Sequence, residues 1–152
     1  MEAKASVVWW PEQGQSSYSI QLRILRPDEE GGLSEEERGF STCQLKSRHW
    51  TIVDGDGHTE HVRGDGVIGK YPLLKVGGYR DDEQNRFGTV GAGRQCSGTF
   101  VYQSCSGRAR GTGPGSFGGE LSFVPGSIKQ PTGAPFDVIV PPFSLDTPLF
   151  VF

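Results

Sequence analysis

The chain has 152 residues, of which 23 are Gly and 10 are Pro. Together they are roughly 22% of the chain, against about 12% in average proteins, and because both interrupt helices they exclude a helix bundle or coiled coil. The net charge is −3, with no Lys/Arg stripe, which excludes duplex nucleic acid as the main partner.

Hydrophobic residues are 34% and aromatic residues 11% of the sequence. They come in clusters, and no G-X-Y period runs through the chain. An all-β unit with Gly and Pro at its turns fits this composition, as does a partly disordered chain. At this length one core is expected.

Period-2 alternation dominates the chain. Val7 to Trp10 reads as a first strand, ended by Pro11. Tyr18, Ile20, Leu22 and Ile24 share one parity and Ser19, Gln21 and Arg23 the other, which predicts a strand with one buried face. A loop over 27–39 follows. Asp28, Glu29, Glu30, Glu35, Glu36 and Glu37 lie in it, so the acidity is local; without them 12 acids face 15 bases. Leu33 to Arg38 is expected to form a helical turn at most. Such a run is usually a solvated face, or else a docking segment for a basic surface.

Phe40 to Val53 carries the next strand or two, with Arg48, Trp50 and Ile52 on one parity. Asp54-Gly55-Asp56-Gly57 predicts a hairpin turn, since Asp and Gly tolerate positive φ. His58 to Arg63 returns antiparallel, and Pro72 to Val76 is a short apolar run. Residues 77–93 read as a long polar loop. Strand patterns resume at Thr99 to Gln103 and Glu120 to Val124, separated by a Gly/Ser loop. Phe136, Val138 and Val140 form the last alternation, which Pro141-Pro142 is expected to stop, with Phe143 and Leu145 packing back on the core. Seven or eight short strands predict a β-sandwich, with a barrel as the alternative.

Gly64, Gly66 and Gly69 satisfy G-x-G-x-x-G. A dinucleotide site needs a helix after this motif, and Lys70-Tyr71-Pro72 blocks one. Two readings remain. The backbone needs positive φ or close approach there, or its N–H groups form an anion-binding nest helped by Arg63. Asp65 opposes the second reading.

His49, His58 and His61 raise the question of a metal. Pairing Val53 with His58 across a four-residue turn sets His49 opposite Val62 and His61 opposite Trp50. His49 and His58 then lie ~13 Å apart at ~3.3 Å per residue, too far for shared coordination. The expectation is three half-exposed histidines and no metal. Cys43, Cys96 and Cys105 are odd in number and lack a C-x-x-C, so buried or half-buried thiols in a reducing compartment are expected. No nucleophile elbow, H-E-x-x-H or paired-carboxylate spacing appears, so the chain is read as having no catalytic residue and no cofactor. No membrane span or secretory segment is recognised, and a cytoplasmic location is expected, with nucleus or mitochondrion as alternatives.

From Cys43 onward the residues resemble the ApaG domain family. The resemblance lies in Ser47-Arg48-His49-Trp50-Thr51-Ile52-Val53-Asp54, Asp56-Gly57 and Val62-Arg63-Gly64-Asp65-Gly66-Val67-Ile68-Gly69 with Pro72. It continues in Phe100-Val101-Tyr102-Gln103-Ser104 and in Phe136 to Leu145. It extends over roughly residues 16–146 and would make 1–152 a single ApaG-like domain. It implies an immunoglobulin/fibronectin-III-like β-sandwich. It further implies a protein–protein interaction module without established enzymatic activity, with pyrophosphate binding suggested at the glycine motif. Such domains occur in small bacterial proteins linked to cobalt resistance and magnesium efflux. They also occur at the C-terminal side of certain F-box proteins and of polymerase delta-interacting protein 2. The sequence departs from the pattern at 77–93, read as an insertion, at Gly113-Pro114-Gly115-Ser116-Phe117, and in the long acidic loop over 27–39. No F-box is read ahead of the resemblance, so it does not by itself imply a ubiquitin-ligase link.

Three functions are therefore carried forward. The first is a non-enzymatic module that binds a protein partner as a subunit of a larger assembly, with Phe150 and Phe152 as candidate apolar anchors. The second is small-anion, pyrophosphate or nucleotide binding by Arg63, Gly64, Asp65, Gly66 and Gly69. The third is a role in divalent metal-ion homeostasis, implied only by the bacterial relatives.

Overall fold

Alternating side chains and turn chemistry place the strands. A computed structural model describes residues 1–10, 15–81, 94–105 and 115–145. Along the chain run β1 (Glu2–Trp10), β2 (Gln15–Arg23), α1 (Glu35–Arg38), β3 (Thr42–Val53), β4 (Thr59–Asp65) and β5 (Leu73–Lys75). Then follow β6 (Gly78–Asp81), β7 (Arg94–Ser97), β8 (Phe100–Cys105), β9 (Ser116–Pro125) and β10 (Phe136–Ser144). One sheet has the order β1-β2-β8, the other β10-β9-β3-β5-β6-β7, with β4 also paired to β3. The named strand pairs are antiparallel. This is an immunoglobulin/fibronectin-III-like β-sandwich.

The core lies between the sheets. The smaller sheet contributes Tyr18, Ile20, Leu22, Phe100 and Tyr102; the larger contributes Leu45, Trp50, Phe117, Leu121, Phe123 and Val140. The parity expected of Tyr18 to Ile24 is the buried face of β2 and continues one residue past its end at Ile24. Aromatic rings knit the two layers: Phe117 lies 4.4 Å from Tyr18 and 4.9 Å from Trp50, centroid to centroid. Leu145 is buried and Phe143 packs against the core, as the sequence predicts.

Several elements differ from expectation. Ten strands form among the described residues, where alternation marked seven or eight. Phe40 to Val53 supplies one strand, β3. The polar stretch 77–93 does not begin as a loop: Gly78 to Asp81 form β6, which pairs with β5 and β7. Polar alternation hid it, and its partner β7 has only four residues; positions 82–93 lie outside the described residues. The Gly/Ser loop before Glu120 ends sooner than expected, because β9 starts at Ser116. Pro141-Pro142 do not stop β10 either. The register moves from Val140↔Gly119 to Phe143↔Phe117, a bulge that absorbs both prolines. A strand paired on only one side tolerates residues that cannot donate to the ladder. Cys105 is exposed rather than buried or half-buried, while Cys43 is buried. Burial pushes the Cys43 thiol up to about 12, so it is an inert core residue.

The acidic loop is ordered by its own residues. Ser34 caps α1 in a capping box with Glu37, the pattern S/T-x-x-E that satisfies two orphan N–H groups. Upstream, the Arg23 guanidinium bonds Glu2 and Glu29, each at 2.6 Å. The Arg23 hydrogen bond holds the Glu2 carboxyl below its ordinary 4.5. The Arg26 backbone N–H, then Arg23, do the same for Glu29. Both carboxylates bind protons more weakly when folded, so their contribution is complete above about 4.5 and fades as pH falls through the folded values. A melting series from pH 7 to pH 3 is expected to lose less in Arg23→Gln than in the parent. Equal losses would show that this clasp contributes nothing.

Candidate functional site

The β3–β4 hairpin decides what the outer face presents. Asp54 Oδ1 accepts from the backbone N–H of Asp56 and of His58, and Asp54 N–H donates to His58 O. This closes the loop one residue later than expected and pairs Val53 with Thr59. A one-residue shift turns every side chain of one strand over relative to its partner. His49 therefore faces Arg63, and His61 faces Thr51. The expected pairs, His49 with Val62 and His61 with Trp50, do not form.

With that register the outward face of β10, β9, β3 and β4 can be read off the ladders. Asp137, Ser122, Ser47 and Asp65 form one cross-strand line; Ile139, Glu120, His49 and Arg63 form the next. A shallow depression of about 520 Å³ opens here, lined by Ser47, His49, Arg63, Asp65, Glu120 and Asp137 among others. His49 is half-buried. Its Nδ1 lies 3.3 Å from Glu120 Oε1 and its Nε2 lies 3.2 Å from His61 Nδ1. Thr51 Oγ1 lies 3.3 Å from the same His61 nitrogen.

Arg48 takes the other face. Its Nη1 donates to Gly66 O at 2.7 Å and to Asp65 O at 3.2 Å. A Cβ on Gly64 would stand 3.0 Å from that guanidinium, so the glycine makes room for it. The Ser47-Arg48-His49 and Arg63-Gly64-Asp65 segments are thus direct cross-strand partners.

The glycine motif splits into separate roles. Arg63 and Asp65 are exposed on the outer face. Gly66 has φ 58, its N–H donates to Lys46 O at 2.8 Å, and a Cβ there would meet Lys70 O at 2.5 Å. Val67 and Lys70 exchange both backbone hydrogen bonds around Ile68-Gly69. Both turn residues have positive φ, 45° and 77°, a primed hairpin turn that is strained for a β-branched Ile68. The Lys70 ammonium pairs with Asp81 and ties this turn to β6. The amides of Gly66, Val67 and Lys70 are therefore spent inside the fold. Phe150 and Phe152, the expected anchors, lie outside the described residues.

Glu120, Ser122 and Asp137 escaped the sequence reading. His49 and His61 needed only the hairpin register. Glu120 had no local signal, because it reaches His49 through the long-range β3–β9 pairing. Among the described residues, no group of three or more His, Cys, Asp or Glu is placed to hold one metal ion. No helix among them is long and apolar enough to cross a membrane.

The ApaG domain profile matches residues 12–80, the stretch that contains the β3–β4 hairpin. The ApaG protein of Azorhizobium caulinodans is 31% identical over 138 residues, which cover 91% of this chain and 77% of that protein. The chain belongs to the ApaG family. The F-box protein SKIP16 of Arabidopsis thaliana is 39% identical over 136 residues, 90% of this chain, but the chain spans only 26% of that protein. It spans 44–64% of several other bacterial ApaG proteins. A crystal structure assigned to the ApaA protein of Bordetella pertussis superposes with a TM-score of 0.60 at 26% identity, covering 98% of this chain and 96% of that one. ApaG domains thus occur both as small bacterial proteins and within a plant F-box protein.

Proposed function

We propose that residues 1–152 act as a single ApaG-type binding module, non-enzymatic, that engages a protein partner within a larger assembly. The docking surface is the outer face of β10, β9, β3 and β4. The mixed-charge depression there carries this reading. Arg63 stands among Asp65, Glu120 and Asp137, and His49 is held by Glu120. The His49 ring, held by Glu120 in the free protein, loses less entropy on binding than an unheld side chain, and a surface with both signs favours one complementary partner over others. The depression is open to solvent, as suits a macromolecular surface better than an enclosed small-ligand pocket.

The test is affinity purification from native cells with the parent and with Arg63→Glu/Asp65→Lys. Both positions are exposed, so melting temperature should hold. A stoichiometric partner recovered with the parent and lost with the variant is expected. No stoichiometric partner, or one retained equally by the variant, would retire this surface.

A further inference from the structure

We infer that His49 and His61 form a two-imidazole site for a divalent transition-metal ion, on the same outer face but independent of the partner reading. The site rests on three distances. His49 Nε2 and His61 Nδ1 are 3.2 Å apart, with ring centroids at 5.2 Å. Two nitrogens on a tetrahedral zinc at ~2.05 Å stand about 3.3 Å apart. The Glu120 carboxylate lies 3.3 Å from His49 Nδ1. An ionised carboxylate can only accept, so His49 Nδ1 carries the proton and Nε2 presents a bare lone pair toward His61. This is the carboxylate–histidine–metal arrangement, in which the outer carboxylate fixes the tautomer and makes the ligand nitrogen more basic.

The local charge favours a cation. Arg63 lies opposite His49 on β4 and Arg48 also lines the depression, but three carboxylates, Asp65, Glu120 and Asp137, outnumber these two guanidiniums, and the Arg48 guanidinium is committed to backbone carbonyls. Imidazole donors select ions such as Zn²⁺ over Mg²⁺ or Ca²⁺, which require oxygen ligands. Two protein donors leave the remaining positions to water or to an outside ligand. Thr51 Oγ1, 3.3 Å from His61 Nδ1, is close enough to hydrogen-bond such a water. An open site of this kind exchanges its ion readily. The competing arrangement is a plain hydrogen bond from His61 Nδ1–H to His49 Nε2.

Calorimetric titration of the full chain with zinc chloride tells the two apart. One ion per chain is expected for the parent. His61→Ala, at an exposed position, should weaken binding at least tenfold. Glu120→Gln should weaken it about tenfold, the lower end for loss of an outer carboxylate. His58→Ala and Cys96→Ser/Cys105→Ser should bind as the parent does, and magnesium chloride should give no saturable heat. Long-range ¹H–¹⁵N spectra should show zinc shifting the His49 and His61 ring nitrogens and not those of His58. No saturable zinc binding, unchanged binding in His61→Ala, or loss in the cysteine variant would overturn the site. Each of these outcomes is read on the isolated chain and leaves the partner experiment untouched.

Discussion

Replacing Trp50 with Ala is expected to cost about 3–5 kcal/mol of stability. At this chain length each kcal/mol lowers the melting temperature by roughly 2–4 °C, so a fall of roughly 6–20 °C should be seen. Trp50 is 2% exposed and sits on β3, the strand that pairs with β4, β5 and β9. Its ring meets Phe117 at 4.9 Å, and Phe117 in turn meets Tyr18 on the opposite sheet at 4.4 Å. Truncation removes buried apolar surface and leaves a cavity between the two layers, and both terms destabilise. The indole Nε1 has no hydrogen-bond partner among the described residues. Trp50→Phe therefore forfeits no bond and is expected to lose clearly less. A Phe variant as unstable as the Ala variant would show that the indole holds something besides packing. Denaturant midpoints of the three proteins make the comparison.

The fold was legible where one face of a strand is buried and the other is wet. Tyr18 to Ile24 announced their parity because the core sorts them. The hairpin at Asp54–Gly57 was visible from Asp and Gly alone. Its register was not, because the Asp54 side chain adds a closing interaction with His58 that residue types do not disclose. That single residue of slip changed the reading of the histidines from scattered to adjacent. β6 and β7 were missed for a different reason. They are short and polar, and they are defined by pairing, β6 with β5 and β7 with β6, rather than by their own pattern. The glycine motif admits two readings from residue types alone. Each of its glycines has a reason within the fold: room for Arg48, close approach to Lys70, and a primed turn. The outer-face cluster was half legible. Ser47, Arg48, His49, Arg63 and Asp65 stand in the quoted motifs, whereas Glu120, Ser122 and Asp137 join only through sheet order.

Gly119→Ala is expected to damage fold and site together, at about 2–6 kcal/mol. Gly119 pairs with Trp50 on β3, next to the His49–Glu120 pair. Its φ is 146, a conformation L side chains rarely adopt, and an added Cβ would lie 2.1 Å from His49 O and 3.0 Å from Trp50 Cα. The backbone strain accounts for about 1–3 kcal/mol. Forcing the methyl into a packed contact adds about 1–3 kcal/mol more. The closest colliding atom, at 2.1 Å, is the His49 backbone oxygen, which no side-chain movement clears, so β3 and β9 must separate. That separation pulls Glu120 from His49 Nδ1 and frees the ring that faces His61. The variant should therefore show a lowered denaturation midpoint. In any folded fraction, the His49 ring nitrogens should no longer report one fixed tautomer in long-range ¹H–¹⁵N spectra. Glu120→Gln separates the two effects, because it leaves the ladder intact and weakens only the contact to His49. An Ala variant of parental stability would mean that β3 and β9 do not approach this closely at Gly119, and the geometry of the outer face would then have to be redrawn.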